Sequence, residues 1–446
     1  MKAIININNK SVLLKNISSR FTLIIMQMNY RFGKAEKLKS IIFTSFGHFT
    51  NDFTFLLFSI LIIYYNKNFG ISLVILGAIA IISTIISGIL STPIGKYSDK
   101  TRKYTNLISI GFVILGFSFV AFAISFAFVN YTLLFAVIAA VLLGVGLAFY
   151  HPLGASILNF TYKNKSSSML GINGAFGSIG RAVMPILLIP LILVVGKVYA
   201  LLIISAYMFI AAIVIYKGLF FLKICENPPK EKNKKSNIVP NTISKYRSVL
   251  FILVALVFIR AMFLIGTTTY ISEYLIKELG TETQLSYILT ISFITAVIGQ
   301  PFFGKLTDKY GGKAIIWITS VLSAVFFILF MLSGPNVLLI IVNYSLFVFM
   351  AFSGFPVLLG YVGQIVPKEI STTANGMVWG IGNTIGGAIG IAVMILFLFM
   401  NVSLLQTMWI MVIFGILSIF LIPFIPNKKR SIELKLKSVQ PFKNPG

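Results

Sequence analysis

Gly95-Lys96-Tyr97-Ser98-Asp99-Lys100-Thr101-Arg102-Lys103 sets four cations around a single acid, Asp99, between two long apolar runs. The pattern recurs as Gly304-Lys305-Leu306-Thr307-Asp308-Lys309-Tyr310-Gly311-Gly312-Lys313, which begins 304 − 95 = 209 positions later, close to half of the 446-residue chain. A repeat of that length divides the chain into two homologous halves. Tyr150-His151-Pro152 answers to Gly354-Phe355-Pro356 at an offset of 204, and Gly171 and Gly177 answer to Gly376 and Gly382 at 205, so the copies run in the same direction. Parallel repeats in membrane proteins are related by an axis along the bilayer normal and enclose a site at their interface near the midplane. The arrangement points to transport before any residue chemistry is weighed.

Composition agrees with a membrane setting. Hydrophobic residues make up 57% of the chain and charged residues 11%, with a mean hydropathy of +0.95, where a soluble domain carries about 25% charged residues. The net charge of +26 falls in the connections between apolar runs. It therefore reads as positive-inside topology and not as a nucleic-acid surface. With one cysteine, Cys225, and two histidines, His48 and His151, the sequence offers no disulfide framework and no metal-ligand spacing, so no metal or cofactor is expected. No G-x-x-x-x-G-K-[ST] loop is present, so any uphill movement would draw on an ion gradient, taken here as a proton gradient.

The fold expected is an all-α membrane protein of twelve transmembrane helices in two parallel six-helix repeats. Residues 1–39 read as a cytoplasmic extension without a cleavable signal, either unstructured or an over-long start. Residues 40–222 form the first bundle, 223–246 a polar cytoplasmic tether, 247–426 the second bundle and 427–446 a basic cytoplasmic tail. Each bundle holds six apolar runs long enough to cross about 30 Å of hydrocarbon. Lysine and arginine concentrate in the even-numbered connections, which places both termini in the cytoplasm of a cell whose plasma membrane the chain crosses.

Charges at membrane depth are costly, which makes them functional candidates. Asp52 and Arg260 each lie about twelve residues into the first and seventh spans, roughly 18 Å along their helices. At matched depth they are expected to meet, either as a static ion pair or as one broken by a proton or by substrate. His48, Asn51, Asp52 and Phe55 share a helical face. His48, whose type titrates near physiological pH, is either a proton partner of Asp52 or an interior hydrogen-bonding residue. His151 precedes Pro152 and is expected at a cavity wall or in packing. Arg181, in the fifth span, has no partner by spacing and needs either a distant carboxylate or an anionic substrate. Glu273 and Lys277 read as an exposed pair at a helix end. Gly171, Gly174 and Gly177, and Gly376, Gly380, Gly382 and Gly386, recur every three or four residues and are expected to let helices approach closely.

The two cation-rich copies resemble the signature G-x-L-x-D-[RK]-x-G-[RK]-[RK] of the major facilitator superfamily, from about Ser40 to Pro426. The first copy departs from it by Tyr97 and Arg102, where the second keeps Leu306 and Gly311. Gly47-His48-Phe49-Thr50-Asn51-Asp52, Tyr150-His151-Pro152 and Arg260-Ala261 are most similar to the fosmidomycin-resistance-like branch. The resemblance implies the major facilitator fold and a cytoplasmic gate of Gly95, Asp99, Arg102, Lys103, Gly304, Asp308, Lys309 and Gly311. Its two aspartates would lock the cytoplasmic side in an outward-open state.

The expected activity is alternating-access secondary transport of a small molecule through a cavity lined by the first, fourth, seventh and tenth spans. It would be proton-coupled efflux of a drug or metabolite or, alternatively, proton-coupled uptake of an organic acid or sugar. Asp52 is the expected protonation site, Arg260 its counter-ion, and Asn51, His48, His151 and Arg181 cavity groups. The partners expected are the lipid bilayer and the small-molecule substrate, with the chain acting as a monomer. An enzyme would need a convergent catalytic constellation and a receptor an extramembrane domain, and the sequence offers neither.

Overall fold

The computed structural model describes residues 32–162, 166–225, 238–366 and 374–427. The readings of residues 1–31, of the centre of the tether and of the basic tail lie outside the described residues, as does the side chain of Asp99. Among the described residues eleven helices are long and apolar enough to cross a membrane, and the shorter Val337–Phe352 supplies a twelfth crossing. It resumes after Ser353 as Gly354–Ile365. The first half holds α1 (Lys34–Asp52), α2 (Leu57–Phe69), α3 (Leu73–Thr101), α4 (Tyr104–Ala127), α5 (Thr132–Tyr162), α6 (Ser166–Val195) and α7 (Lys197–Gly218). The second holds α8 (Ile238–Leu279), α9 (Glu282–Tyr310), α10 (Gly312–Met331), α11 (Val337–Phe352), α12 (Gly354–Ile365), α13 (Gly386–Phe399) and α14 (Leu404–Phe420).

Three boundaries differ from the sequence reading. Phe32 is buried, edge-on to Phe160 at 5.2 Å and near Phe221 at 6.1 Å. Residues 32–39 thus belong to the first bundle, because an aromatic anchors the chain before the apolar run starts. The tether yields its last residues to α8, which starts at Ile238. The cation-rich repeats, read as loops, are the closing turns of α3 and α9, and only their last positions leave the helix. Gly311 takes φ 88° there, and Arg102, 209 positions earlier, takes φ 53°. A side chain in this left-handed region costs roughly 1–2 kcal/mol. The Arg102 guanidinium lies over Phe160 at 4.7 Å, which offsets part of that cost.

The repeat is visible in the packing. Cβ atoms placed on Gly177 and Gly180 of α6 would run into His48 and Asp52 and into the Phe49 and Phe53 backbone of the first span. Those placed on Gly382 and Gly386, 205 and 206 positions later, would run into Val257 and the Phe258 backbone of α8. In each half, then, the fifth crossing lies backbone to backbone against the first, where only a hydrogen side chain fits. Gly174 faces Gln300 of the other half. Gly171, Gly376 and Gly380 have no atom within 4 Å of a Cβ and serve no packing contact, contrary to expectation.

The halves are tied toward one end. Ser59 and Ser272 hydroxyls meet at 2.9 Å, and Tyr270 donates to the Leu73 carbonyl at 3.0 Å. Glu282 accepts from Tyr64 and pairs with Lys67, both at 3.3 Å. Ser286 donates to the Pro185 carbonyl at 3.0 Å, and deeper in, Gln300 donates to Ser178 at 2.7 Å. Between that level and the cation-rich ends of α3 and α9, no hydrogen bond joins the halves among the described residues.

Candidate functional site

The first crossing breaks immediately after Asp52. Thr54, Phe55 and Leu57 each donate to the carbonyl three residues back, which tightens the chain out of the α-helical ladder, and the Thr54 hydroxyl takes the Asn51 carbonyl at 2.7 Å. No proline or glycine lies in this turn. Its cause is the close crossing of Gly180 together with the threonine's own hydrogen bond. Asp52 is thereby held at the end of α1, 4% exposed.

Four polar groups converge on that carboxylate. Arg181 donates to Oδ2 from Nη2 at 2.6 Å and from Nε at 3.0 Å, and its guanidinium rests over the Phe55 ring at 4.7 Å. Asn51 donates to Oδ1 at 3.0 Å. The Nε2 atoms of His48 and His151 stand 3.4 Å from Oδ2 and 3.6 Å from Oδ1, respectively. Of the four, the His151 side chain is the open one, 37% exposed. Its ring lies 6.3 Å from Trp379 of the second half.

A hydrogen-bond chain orients His48. Tyr150 donates to the Thr44 carbonyl at 2.6 Å and accepts from the Asn173 amide nitrogen at 3.0 Å. The Asn173 oxygen is then left to accept from His48 Nδ1 at 2.8 Å. With its proton on Nδ1, a neutral His48 turns a bare Nε2 toward an ionised carboxylate, and two acceptors face each other until one proton enters between them. His48, Asp52 and His151 also bring ligand atoms within 4.8 Å of one another in space, which sequence spacing had not suggested. Arg181 already supplies the positive charge at this carboxylate, on the oxygen nearest His48, so the donor set is occupied by a guanidinium where a metal's charge would sit.

The structure brings together His48, Asn51, Asp52, His151 and Arg181 but not Arg260. The expected Asp52–Arg260 pair is not formed. Arg260, 5% exposed, donates from Nη2 to the Ala351 carbonyl at 3.0 Å, and no carboxylate pairs with it among the described residues. Matched depth on two helices does not make them neighbours. The fifth crossing, pressed on the first by Gly177 and Gly180, supplies the counter-ion instead. The lining set therefore needs the fifth span as well as the four anticipated. Glu273 is 3% exposed, so its 3.3 Å pair with Lys277 is buried at the acid end and not the exposed pair expected.

Sequence reasoning passed over Asn173 and Trp379, and gave Tyr150 and Phe55 no role at the site. Trp379 and Gly380 lie in a π-helical stretch, Val378–Ile385, within the eleventh crossing, a distortion frequent at functional sites. At the cation-rich ends, Asp308 is exposed and forms no ion pair among the described residues, and Lys309 lies over Tyr310 at 5.0 Å. Lys103 caps α4 and Gly95 lies within α3 beside Pro152. A Cβ on Gly304 would meet nothing within 4 Å.

Comparison with known proteins places this geometry in context. The chain matches the family described as Major Facilitator Superfamily over residues 44–280 and again over residues 253–444. It is 25% identical over 356 residues to the fosmidomycin resistance protein of Escherichia coli (strain K12), covering 78% of this chain and 84% of that one. It is 29% identical over 163 residues to multidrug resistance protein 2 of Bacillus subtilis (strain 168), covering 35% and 40% of the two chains. A solved bacterial homolog of the human lysosomal transporter Spinster, in an inward-facing and occupied conformation, shares the fold with a TM-score of 0.63 at 12% identity. That likeness covers 89% of this chain and 97% of the other.

Proposed function

This chain belongs to the Major Facilitator Superfamily, whose members are transporters and not enzymes, and from that premise we propose that it is a proton-coupled efflux antiporter for a small drug or metabolite. The observation that carries the reading is the Asp52 carboxylate, buried at a helix break and held by a cation, with one oxygen turned to an open histidine. A proton arriving through His151 reaches Oδ1, the oxygen that Arg181 leaves free. Once neutral, Asp52 no longer holds the guanidinium. Arg181 rests on Phe55, and Phe55 packs against Phe293 at 6.0 Å and Phe352 at 5.7 Å in the other half. Release of the pair is therefore felt where the two halves meet, which is what coupling a proton to alternating access requires.

With the cation-rich ends cytoplasmic by the positive-inside rule, the hydrogen bonds between the halves lie away from the cytoplasm and, among the described residues, none joins the cytoplasmic ends, which favours reading this as an inward-facing state. Asp308, exposed and without an ion pair among the described residues, fits a cytoplasmic gate that is not locked. Drug efflux is favoured by the similarity to proteins named for fosmidomycin and multidrug resistance. We place the protein in the plasma membrane with both termini cytoplasmic, acting as a monomer without a cofactor.

The test is proton movement in proteoliposomes loaded with a pH-sensitive dye. Adding fosmidomycin should drive proton counterflow in the wild type and none in Asp52→Asn. Counterflow preserved in Asp52→Asn removes the carboxylate from the coupling step, and flux of drug with the proton reverses the direction proposed.

A further inference from the structure

Arg181 and Arg260 are both guanidiniums at membrane depth, but only one is neutralised. Arg260 has five N–H donors and, among the described residues, one acceptor, the Ala351 carbonyl, while its Nε is buried without a partner there. The guanidinium lies against Gly354, where a Cβ would come within 2.6 Å of Nη1. Gly354 is the first residue of α12, a twelve-residue helix. The turn residue between α11 and α12, Ser353, is wholly buried with its hydroxyl unbonded. A buried cation with most of its donors unused, set at a helix start, is a site built for a negative group.

Position supports the same reading. Arg260 falls 260 − 52 = 208 residues after Asp52, one short of the 209 that separates the cation-rich motifs, so the second half carries a cation at the level where the first carries its acid. The two are separated by the aromatic contact of Phe55 with Phe352, whose chain neighbour Ala351 accepts from Arg260. The acid of the first half has its partner in Arg181. The second half is left with one uncompensated positive charge beside the interface between the halves.

We propose that Arg260, at the break between α11 and α12, is the anchoring group for an oxyanion, a carboxylate or a phosphate-type group, on the transported solute. Calling the anion cargo rests on the transport reading above, whereas its binding at Arg260 does not. The guanidinium binds the oxyanion through the donors the protein leaves unused.

The experiment measures thermal unfolding of the purified full-length protein, freed of anionic lipid, with inorganic phosphate or with acetate at ionic strength matched by sodium chloride. The wild type should gain several degrees, saturably, with at least one of the two. Arg260→Gln should gain nothing, and without anion it should melt no lower than the wild type, because it removes an unpaired buried charge. If Arg260→Gln does not fold, Arg260→Lys, which keeps the charge but loses the planar fork, should need several-fold more anion for the same gain. A wild type unmoved by both anions overturns the proposal, as does a gain retained in Arg260→Gln or an equal gain at equal concentration in Arg260→Lys. Stabilisation by phosphatidylglycerol that phosphate competes away would assign the site to a lipid headgroup and overturn the solute reading. Anion binding through Arg260 in a protein that moves no protons in proteoliposomes would leave the site standing and remove the transport reading alone.

Discussion

Arg181 delivers both of its hydrogen bonds to one oxygen of Asp52, Nη2 at 2.6 Å and Nε at 3.0 Å. The other oxygen keeps only the Asn51 amide at 3.0 Å and a histidine at 3.6 Å. The carboxylate thus has one oxygen that holds the charge and one that, on the proton-coupled reading, would receive the proton. Removing one partner of a buried pair strands the other charge, which costs about 3–5 kcal/mol. Arg181→Gln should accordingly melt well below the wild type and lose proton coupling. The double variant Asp52→Asn/Arg181→Gln, which strands nothing, should recover most of the melting temperature while remaining uncoupled. A double variant that melts as low as Arg181→Gln would show that the pair is not what Arg181 contributes.

Gly177 and Gly171 belong to one three-residue glycine series, yet only the first is confined. A Cβ at Gly177 would lie 2.6 Å from the His48 ring and 2.9 Å from Asp52 Oδ2, whereas one at Gly171 meets nothing within 4 Å. Overpacking of this kind costs about 1–3 kcal/mol. Gly177→Ala should therefore lower the melting temperature and slow transport, and Gly171→Ala should move neither beyond about 0.5 kcal/mol. Equal effects at both positions would mean that the series acts through helix propensity and not through this crossing.

Much of this could be read in the sequence, and the part that could not has a physical cause. Twelve crossings and the two halves follow from apolar run length and from a motif repeated at 209, both of which are properties of the chain in one dimension. The depth of Asp52 is also one-dimensional, and so it was legible. Its partner depends on which helix lies beside it, a three-dimensional fact. One signal was available. Gly177 and Arg181 are four residues apart, hence on one helical face, and the face that glycines press against a neighbour carries the arginine to that neighbour too. The break after Asp52 left no proline or glycine to announce it, and the π-helical stretch around Trp379 leaves no compositional trace that these residues reveal.

His151 is the cluster's opening to the aqueous side, its side chain 37% exposed where Asp52 is 4%. It stands beside the oxygen that Arg181 leaves free, so on the proton-coupled reading proposed above its task is to pass a proton and not to hold the ion pair. His151→Gln keeps a polar side chain at this position but cannot change charge. Positioned proton donors and acceptors contribute factors of about 10²–10⁴, and proton flux in proteoliposomes should fall by at least the lower figure. Thermal stability should stay near wild type, because the Asp52–Arg181 pair is untouched. A proton flux unchanged in His151→Gln would route the proton through His48 and its Asn173–Tyr150 chain instead.

Ser59 and Ser272 bring their hydroxyl oxygens to 2.9 Å across the two halves, at the end that is closed in this structure. Alternating access requires that this contact part once in every cycle. Cysteines at both positions, in a chain whose sole native thiol has been removed by Cys225→Ser, would place two sulfur atoms within reach of a disulfide if the backbone geometry permits one. Oxidation should then arrest transport, and a reductant should restore it, with each single-cysteine variant insensitive to both treatments. Mass spectrometry of the cross-linked peptide establishes that the bond has formed. Should transport proceed at full rate with the bond demonstrably in place, the two halves do not separate at this end, and the closed face seen here is permanent rather than one stage of a cycle.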